Sequence, residues 1–266
     1  MEKLNFFGSF EKEKEEEKDV LAPDLEYVES KFMDRMDKVQ AIADESDIFS
    51  WENGEKKRVW PQAGYFFLPK INPMTGPFKD EAEFAAAYQK AARNINPYGE
   101  NEASKEDIEL LAEMYKIHLM PKEEFTPFIL RKVIKEIEDD PELKDLICEI
   151  KVTQGEDVRK NGGEGLPVIV IYPKLGKENA QKVLDKIYKC VGKYSDLAVG
   201  DEPRFNRKIN DMVFYAQGEG GTKKRYKEGL AEMSGKEAAD EGGIFEPDYV
   251  HFKGDYKLND PSENEK

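Results

Sequence analysis

The most apolar run in the chain, residues 166–172, restricts the fold more than any other feature. Its seven residues read Leu-Pro-Val-Ile-Val-Ile-Tyr, without polar alternation, which is typical of a strand covered on both faces and therefore central in its sheet. A helical apolar stripe follows over residues 178–194, and a second apolar run covers 212–216. The three segments predict a strand–helix–strand unit at the core of the C-terminal half.

Helical periodicity dominates the chain before residue 150. Apolar positions follow helical spacing over 24–45 and 80–94, and further helices are predicted to start at Ser104 and at Thr126-Pro127. The helix from Ser104 is expected to run through His118 as a buried residue, and the helix from Thr126 to bury Phe128. A short helix is predicted over 141–150, and short strands over 65–68 and 150–153.

These patterns predict an α+β fold in which a helical N-terminal part packs on a small mixed β-sheet in the C-terminal half. Within it we expect four regions: a flexible charged tail, a mainly helical region, an α+β region that holds the central strands, and a polar tail. Their bounds are residues 1–22, 23–150, 151–252 and 253–266.

The charge is unevenly distributed along the chain. The formal net charge is −15, with a pI near 4.8, which argues against general binding to nucleic acid or to an anionic membrane. Between residues 203 and 227, however, seven Lys or Arg residues stand against two acids, a local balance of +5. Anion recognition is therefore expected to be local. No run approaches the roughly 18 apolar residues of a membrane span, and the first residues lack a secretory signal, so we expect a protein that is cytosolic when made.

The segment 203–210 contains three cations that suit a dianion. Arg204 and Arg207 supply two guanidinium forks and Lys208 an amine, a set that fits a phosphate or a carboxylate ligand. If Phe205 and Ile209 point inward, the three cations line one edge of a cleft. The alternative is a solvated basic loop that forms salt bridges with the rest of an acidic protein.

A glycine-rich turn at 218–221 leads into a second basic group, Lys223, Lys224 and Arg225. Backbone N–H groups at such turns form anion-binding nests. The spacing differs from that of a Walker A loop, because Lys223 occupies the place of the second glycine. The alternative is a glycine turn before a helix whose first residues are basic.

The chain has two histidines and two cysteines, which do not form a metal-binding pattern, so no metal or other cofactor is expected. His118 is expected in the core. His251 is more open and is a candidate proton donor or acceptor. Cys148 and Cys190 are expected to be buried free thiols.

Residues 166–218, about a fifth of the chain, resemble the HopA-type effector family. The resemblance lies in a strand that ends in an aromatic residue, a helix with Ala180 and Leu184, the Pro-Arg-Phe-Asn-Arg-Lys segment that ends at Lys208, and a Val-Phe-Tyr strand from Val213. That family comprises secreted virulence proteins of plant-pathogenic bacteria and relatives in peptide natural-product pathways, akin to phosphothreonine lyases. The resemblance implies a protein made in the bacterial cytoplasm and translocated into a host cell.

The resemblance also implies β-elimination of phosphate from a phosphorylated Ser or Thr in a protein or peptide. By that logic Lys208 is the candidate base, Arg204 and Arg207 hold the phosphate, and His251 is the candidate acid. An alternative of another class is a non-enzymatic effector or adaptor that binds a host protein, which the acidic, charge-rich surface favours. A binder of nucleotides or phospholipid headgroups ranks below both.

Overall fold

The computed structural model describes residues 30–49, 51–52, 55–95, 104–156, 159, 166–200 and 207–217. The tails expected over 1–22 and 253–266 lie outside these ranges.

The first half of the chain alternates short strands with helices. Helix α1 covers residues 30–44. Then follow the strands β1 (Trp51–Glu52), β2 (Glu55–Lys56), β3 (Trp60–Gln62) and β4 (Tyr65–Phe67), the helices α2 (Glu81–Ile95) and α3 (Lys105–Ala112), and strand β5 (Tyr115–Leu119).

The second half begins with a 3-10 turn at Glu123–Phe125 and ends in the last strands of the sheet. Its elements are α4 (Thr126–Asp139), α5 (Pro141–Leu146), β6 (Ile147–Thr153), β7 (Ile169–Pro173), α6 (Lys177–Val191), a 3-10 helix (Gly192–Leu197), β8 (Arg207–Lys208) and β9 (Val213–Gln217).

Seven of these strands form one sheet in the order β3-β4-β6-β7-β5-β9-β8, while β1 and β2 form a separate hairpin. The predicted central strand, β7, is the middle strand of the seven. The α+β class is confirmed. The sheet is larger than expected, every pairing in it is antiparallel, and β3, β4 and β5 come from the part of the chain before residue 120.

Strand β5 lies between β7 and β9 and pairs with both, through Ile117↔Ile171 and Ile117↔Tyr215. Since β5 is antiparallel to each neighbour, β7 and β9 run parallel to one another, and α6 connects them across β5. The strand–helix–strand unit of the sequence therefore exists with a third strand inserted in it. The same arrangement occurs a second time, because α4 connects β5 to β6 and β7 lies between these two strands. Together the two arrangements form a β-α-β-β-α-β unit of the split βαβ type.

Helices cover both faces of the sheet. The register partners Ile117, Ile171 and Ile150 are at most 1% exposed and lie on the face that carries α6, which contacts β5, β7 and β9. Helix α1 packs beside α4 on the same face. The ring centroid of Phe32, in α1, lies 5.2 Å from that of Phe66, in β4. Helix α2 lies over the opposite face and packs against α3, and all these elements contribute to one hydrophobic core.

Three sequence predictions for the helices are wrong in detail. The helix from Ser104 ends at Ala112, and Tyr115 to His118 belong to β5; His118 is nevertheless buried as expected, at 6% exposure. The helix over 141–150 ends at Leu146, where β6 begins. Phe128 is 40% exposed and packs edge-on against Tyr194, because the neighbouring Ile129 occupies the inner face.

Asp107 connects the end of α2 to the start of α3. Its side chain accepts a hydrogen bond from the Ser104 backbone N–H (3.1 Å) and one from Asn94 Nδ2 (2.7 Å), and Ser104 Oγ accepts from the Asp107 N–H (3.1 Å). This is a complete capping box at the helix start that was predicted at Ser104. Burial alone would raise the pKa of Asp107, but the hydrogen bonds from Asn94 and Ser104 outweigh it and lower that pKa.

We expect Asp107→Ala to lower the free energy of unfolding by about 2 kcal/mol, because it removes a cap and leaves two donors without their acceptor. Urea denaturation followed by circular dichroism measures this value. The control is Asp139→Ala, which removes an exposed carboxylate at the end of α4 and should have little effect. Equal midpoints for the two variants would contradict the structural role of Asp107.

Candidate functional site

Of the three cations in the predicted basic segment, Lys208 is the one whose side-chain surroundings the structure describes. Its Nζ lies 2.7 Å from Asp211 Oδ1, and the side chain is 41% exposed. An ion pair of this kind stabilises the charged ammonium, whereas a general base must be a neutral amine. Arg207 is the other residue of strand β8.

The remaining predicted site residues lie outside the described ranges: Arg204, Lys223, Lys224, Arg225 and His251. Their assignments as phosphate holders and as an acid stay predictions, as does the assignment of Lys208 as a base.

Register places Lys208 on the same face of the sheet as a second lysine. Lys208, Phe214, His118, Val170 and Lys151 are successive cross-strand partners from β8 to β6. Four interstrand spacings separate the two lysines, which is about 19 Å at the usual 4.8 Å per strand. One phosphate group cannot contact both.

The region around Lys151 is concave. Between α2 and this face of the sheet lies a cavity of about 420 Å³, which we call the α2 cleft. The sheet contributes its polar and aromatic lining, and α2 contributes a wall with two aromatic rings. The lining includes Lys70, Glu81, Phe84, Tyr88, Lys116, Cys148, Glu149, Lys151 and Tyr172.

Two lysines converge on one tyrosine in the α2 cleft. Lys116 Nζ, from β5, lies 5.6 Å from the centroid of the Tyr172 ring, and Lys151 Nζ, from β6, lies 5.1 Å from it. Strand β7, which carries Tyr172, runs between the other two strands. Lys151 Nζ also lies 4.2 Å from the Tyr65 ring centroid and 5.4 Å from that of Phe67. These aromatic faces hold the ammonium group in position over the sheet.

A β-bulge shapes the floor of the α2 cleft. Pairing between β6 and β7 shifts between Ile147, opposite Pro173, and Glu149, opposite Tyr172, so that Cys148 is an extra residue. In a regular strand, adjacent side chains point to opposite faces. Here both Cys148 and Glu149 line the cleft. Bulges commonly redirect side chains in this way beside functional sites.

The Glu149 carboxyl in the α2 cleft is half-buried and lies near two ammonium groups. Burial raises the pKa of its carboxyl, and the nearby ammonium groups of Lys70 and Lys151 oppose that rise only in part. Lys70 is itself ion-paired with Glu81 at the edge of the cleft. A half-buried carboxyl with a raised pKa, beside cations in a cleft, is a common feature of functional sites.

Burial also affects the Cys148 thiol of the cleft and the phenol of Tyr65, whose ring contacts Lys151. Burial raises the pKa of Cys148 to about 12, so the residue is a thiol and not a thiolate at neutral pH. Burial also raises the pKa of Tyr65. The α2 cleft therefore combines lysine cations with a carboxyl that can exchange a proton, and Cys148 is unsuited to act as a nucleophile there.

The wall formed by α2 follows from its sequence. Asp80 Oδ1 accepts a hydrogen bond from the Glu83 N–H (2.9 Å), while Glu83 Oε2 accepts from the Lys79 N–H (2.8 Å). This pair caps the start of the helix. Phe84 and Tyr88, four residues apart, then stack with their ring centroids 6.1 Å apart on the side that faces the cleft.

Within the described parts of the chain, no cluster of His, Cys, Asp and Glu is suited to holding a metal ion. Over the same residues, no helix combines the length and the apolar character needed to cross a membrane. Comparison with models of protein families, with curated proteins and with solved structures finds no match to this chain.

Sequence reasoning missed Lys116, Glu149, Lys151 and Tyr172 as site residues. A signal exists in the alternation of residues 115–119 and 149–153, where polar and apolar side chains follow the period of two of a strand. That signal places the polar residues on one face. It does not show that the two strands lie on either side of β7.

We expect Glu149 to make the stability of the protein depend on pH in one direction. Its raised pKa means that the folded state holds the proton more tightly than the unfolded chain does. Its contribution is therefore largest below the ordinary glutamate value of 4.5 and is lost as the pH rises through the raised value. Glu149→Gln removes this loss.

From about pH 4 to about pH 8, the free energy of unfolding of the native protein should therefore fall relative to that of Glu149→Gln. Urea denaturation at a series of pH values measures it. Glu178→Gln, at a side chain that is 85% exposed, is the matched control and should show no such trend. A difference that stays constant with pH would show that the carboxyl titrates normally.

Proposed function

We propose that the chain binds an anionic ligand in the α2 cleft, with the phosphate of a phosphomonoester held by Lys116 and Lys151. The observation that carries this proposal is the convergence of two ammonium groups, from two different strands, on the Tyr172 ring inside a concave site. Each ammonium offers three hydrogen-bond donors and no acceptor, which suits the oxygens of a dianion.

Size and charge support a small ligand group. A cavity of about 420 Å³ is at the lower end of the range for ligand pockets, so it suits a phosphorylated side chain or a small metabolite. The protein as a whole is strongly anionic and repels phosphate at long range. With a Debye length of about 8 Å in physiological salt, a bound phosphate experiences mainly the charged groups of the cleft, which are Lys70, Lys116 and Lys151 against Glu81 and Glu149.

The phosphorylated Ser or Thr expected from the sequence fits this proposal as a ligand, with the binding residues moved from the basic segment to the α2 cleft. Lyase activity on the same ligand is a second candidate, and Glu149 is the observation that favours it. In β-elimination the Glu149 carboxylate would take the α-proton as the Cα=Cβ bond forms and the Cβ–O bond breaks, and a carboxyl with a raised pKa can then pass that proton to the phosphate that leaves. In a non-enzymatic adaptor, the same cleft binds the phosphate and no product forms.

Replacing either cleft lysine should weaken binding of a phosphothreonine peptide. We expect Lys116→Gln and Lys151→Gln each to raise the Kd roughly tenfold, because each loses a charge-assisted hydrogen bond. Isothermal titration calorimetry with the peptide and its unphosphorylated form measures the change. Lys208→Gln is the matched control: it removes the same charge about 19 Å away on the same face, and should leave Kd within about twofold.

The proposal would be overturned if Lys208→Gln lost binding while both cleft variants kept it. That result would place the phosphate site in the basic segment. Mass spectrometry of the peptide after incubation separates the two candidate functions. Loss of phosphoric acid that depends on Glu149 supports the lyase, whereas an intact phosphopeptide supports a binding protein.

A further inference from the structure

A second and larger cavity lies on the other face of the sheet, where α1 crosses the start of α4. Its volume is about 910 Å³, and we call it the α1 cavity. Its apolar wall combines residues from α1, α4 and the sheet: Val39, Ile42, Phe66, Leu130, Val152 and Val168. Five of these six are at most 6% exposed, all except Val39, at 7%, so the wall is continuous with the core.

One side of the α1 cavity is cationic. Lys31, Arg35 and Lys38 follow one another at intervals of four and three residues, which places them along a single stripe of α1 beside the apolar one. A fourth cation, Arg159, also lines the cavity and is only 2% exposed. A planar, cationic guanidinium group therefore lies deep in the cavity, beside its apolar wall.

The lining also holds three carboxylates, those of Glu123, Glu124 and Glu156, and that of Glu123 is paired with Arg35. Arg35 donates from Nε to Glu123 Oε1 (2.9 Å) and from Nη1 to the Gln154 carbonyl (3.0 Å). Glu123 Oε2 also accepts from the Glu156 backbone N–H (3.1 Å). These bonds fix α1 against the 3-10 turn before α4 and form a rigid rim. They also satisfy the acid at that rim, which reduces its repulsion of an anion.

We infer that the α1 cavity binds an amphipathic monocarboxylate, such as a fatty acid, with its hydrocarbon body against the apolar wall and its carboxylate near Arg159. The volume lies within the range of pockets that enclose most of a drug-sized ligand. The apolar wall suits a hydrocarbon, while a buried guanidinium selects a carboxylate over a neutral or cationic head. The inference is independent of the phosphate proposal, which concerns the opposite face.

Dodecanoate below its micelle concentration is the direct probe, measured by calorimetry and by the shift in Tm that a ligand of the folded state produces. We expect saturable binding at one site and a raised Tm. Dodecan-1-ol has the same hydrocarbon body without the charge and should bind at least tenfold more weakly. Butyrate has the charge without the body, and should not bind measurably.

Two variants locate the site. Arg159→Met should weaken dodecanoate roughly tenfold and leave dodecan-1-ol unchanged, because only the charged head loses a partner. Val199→Phe replaces a half-buried isopropyl group of the lining with a larger phenyl ring and should weaken the binding of both ligands. Circular dichroism checks that each variant is folded. Lys116→Gln, in the α2 cleft, should leave dodecanoate binding unchanged.

Three results would each overturn the inference. The first is no dodecanoate binding to the native protein, and the second is equal affinity for dodecanoate and dodecan-1-ol. The third is binding that persists unchanged in Val199→Phe, which would place the ligand elsewhere. Val199→Phe decides the location even if Arg159→Met fails to fold.

Discussion

The position of β5 between β7 and β9 is the constraint on which the rest of the structure depends. It sets Lys116 beside Tyr172, converts a simple strand–helix–strand unit into a split one, and makes β7 the middle strand of seven. Pairing on both edges of β5 satisfies its backbone groups within the sheet, and the isoleucines of β5, β6 and β7 then form one buried layer under α6. The second face of the same strands carries Val170 together with polar and aromatic side chains, and the α2 cleft is built mainly from the latter.

Much of the fold can be predicted because the residue patterns of several segments fit only one type of secondary structure. The continuous apolar run of β7 predicted a central strand. The apolar stripe of α6 predicted which side of that helix faces the core, and Ala180, Val183, Leu184 and Ile187 are buried as expected. The capping pair at Ser104 and Asp107 and the proline at the start of α4 also marked true helix starts. In each case local sequence and tertiary contacts favour the same structure.

β5 and the first half of β6 could not be predicted in the same way. Tyr115 and His118 continue the helical spacing set by Leu111 and Met114, so the local pattern extends the helix past its true end at Ala112. The strand is favoured by pairing with β7 and β9, which lie 50 or more residues further along the chain. The bulge at Cys148 depends on the same long-range register. A search for charge clusters along the chain favours residues 203–227, whereas the lysines of the cleft come from separate strands and meet only in the fold.

The central claim is that an anion binds between strands β5 and β6, over Tyr172, and not at the edge strand that carries Lys208. The most direct test is a crystal soaked in tungstate, a dianion with phosphate-like geometry, whose anomalous scattering locates it without reference to any assignment. We expect a peak within hydrogen-bonding distance of Lys116 Nζ and Lys151 Nζ. A peak beside Lys208 with none in the α2 cleft would contradict it.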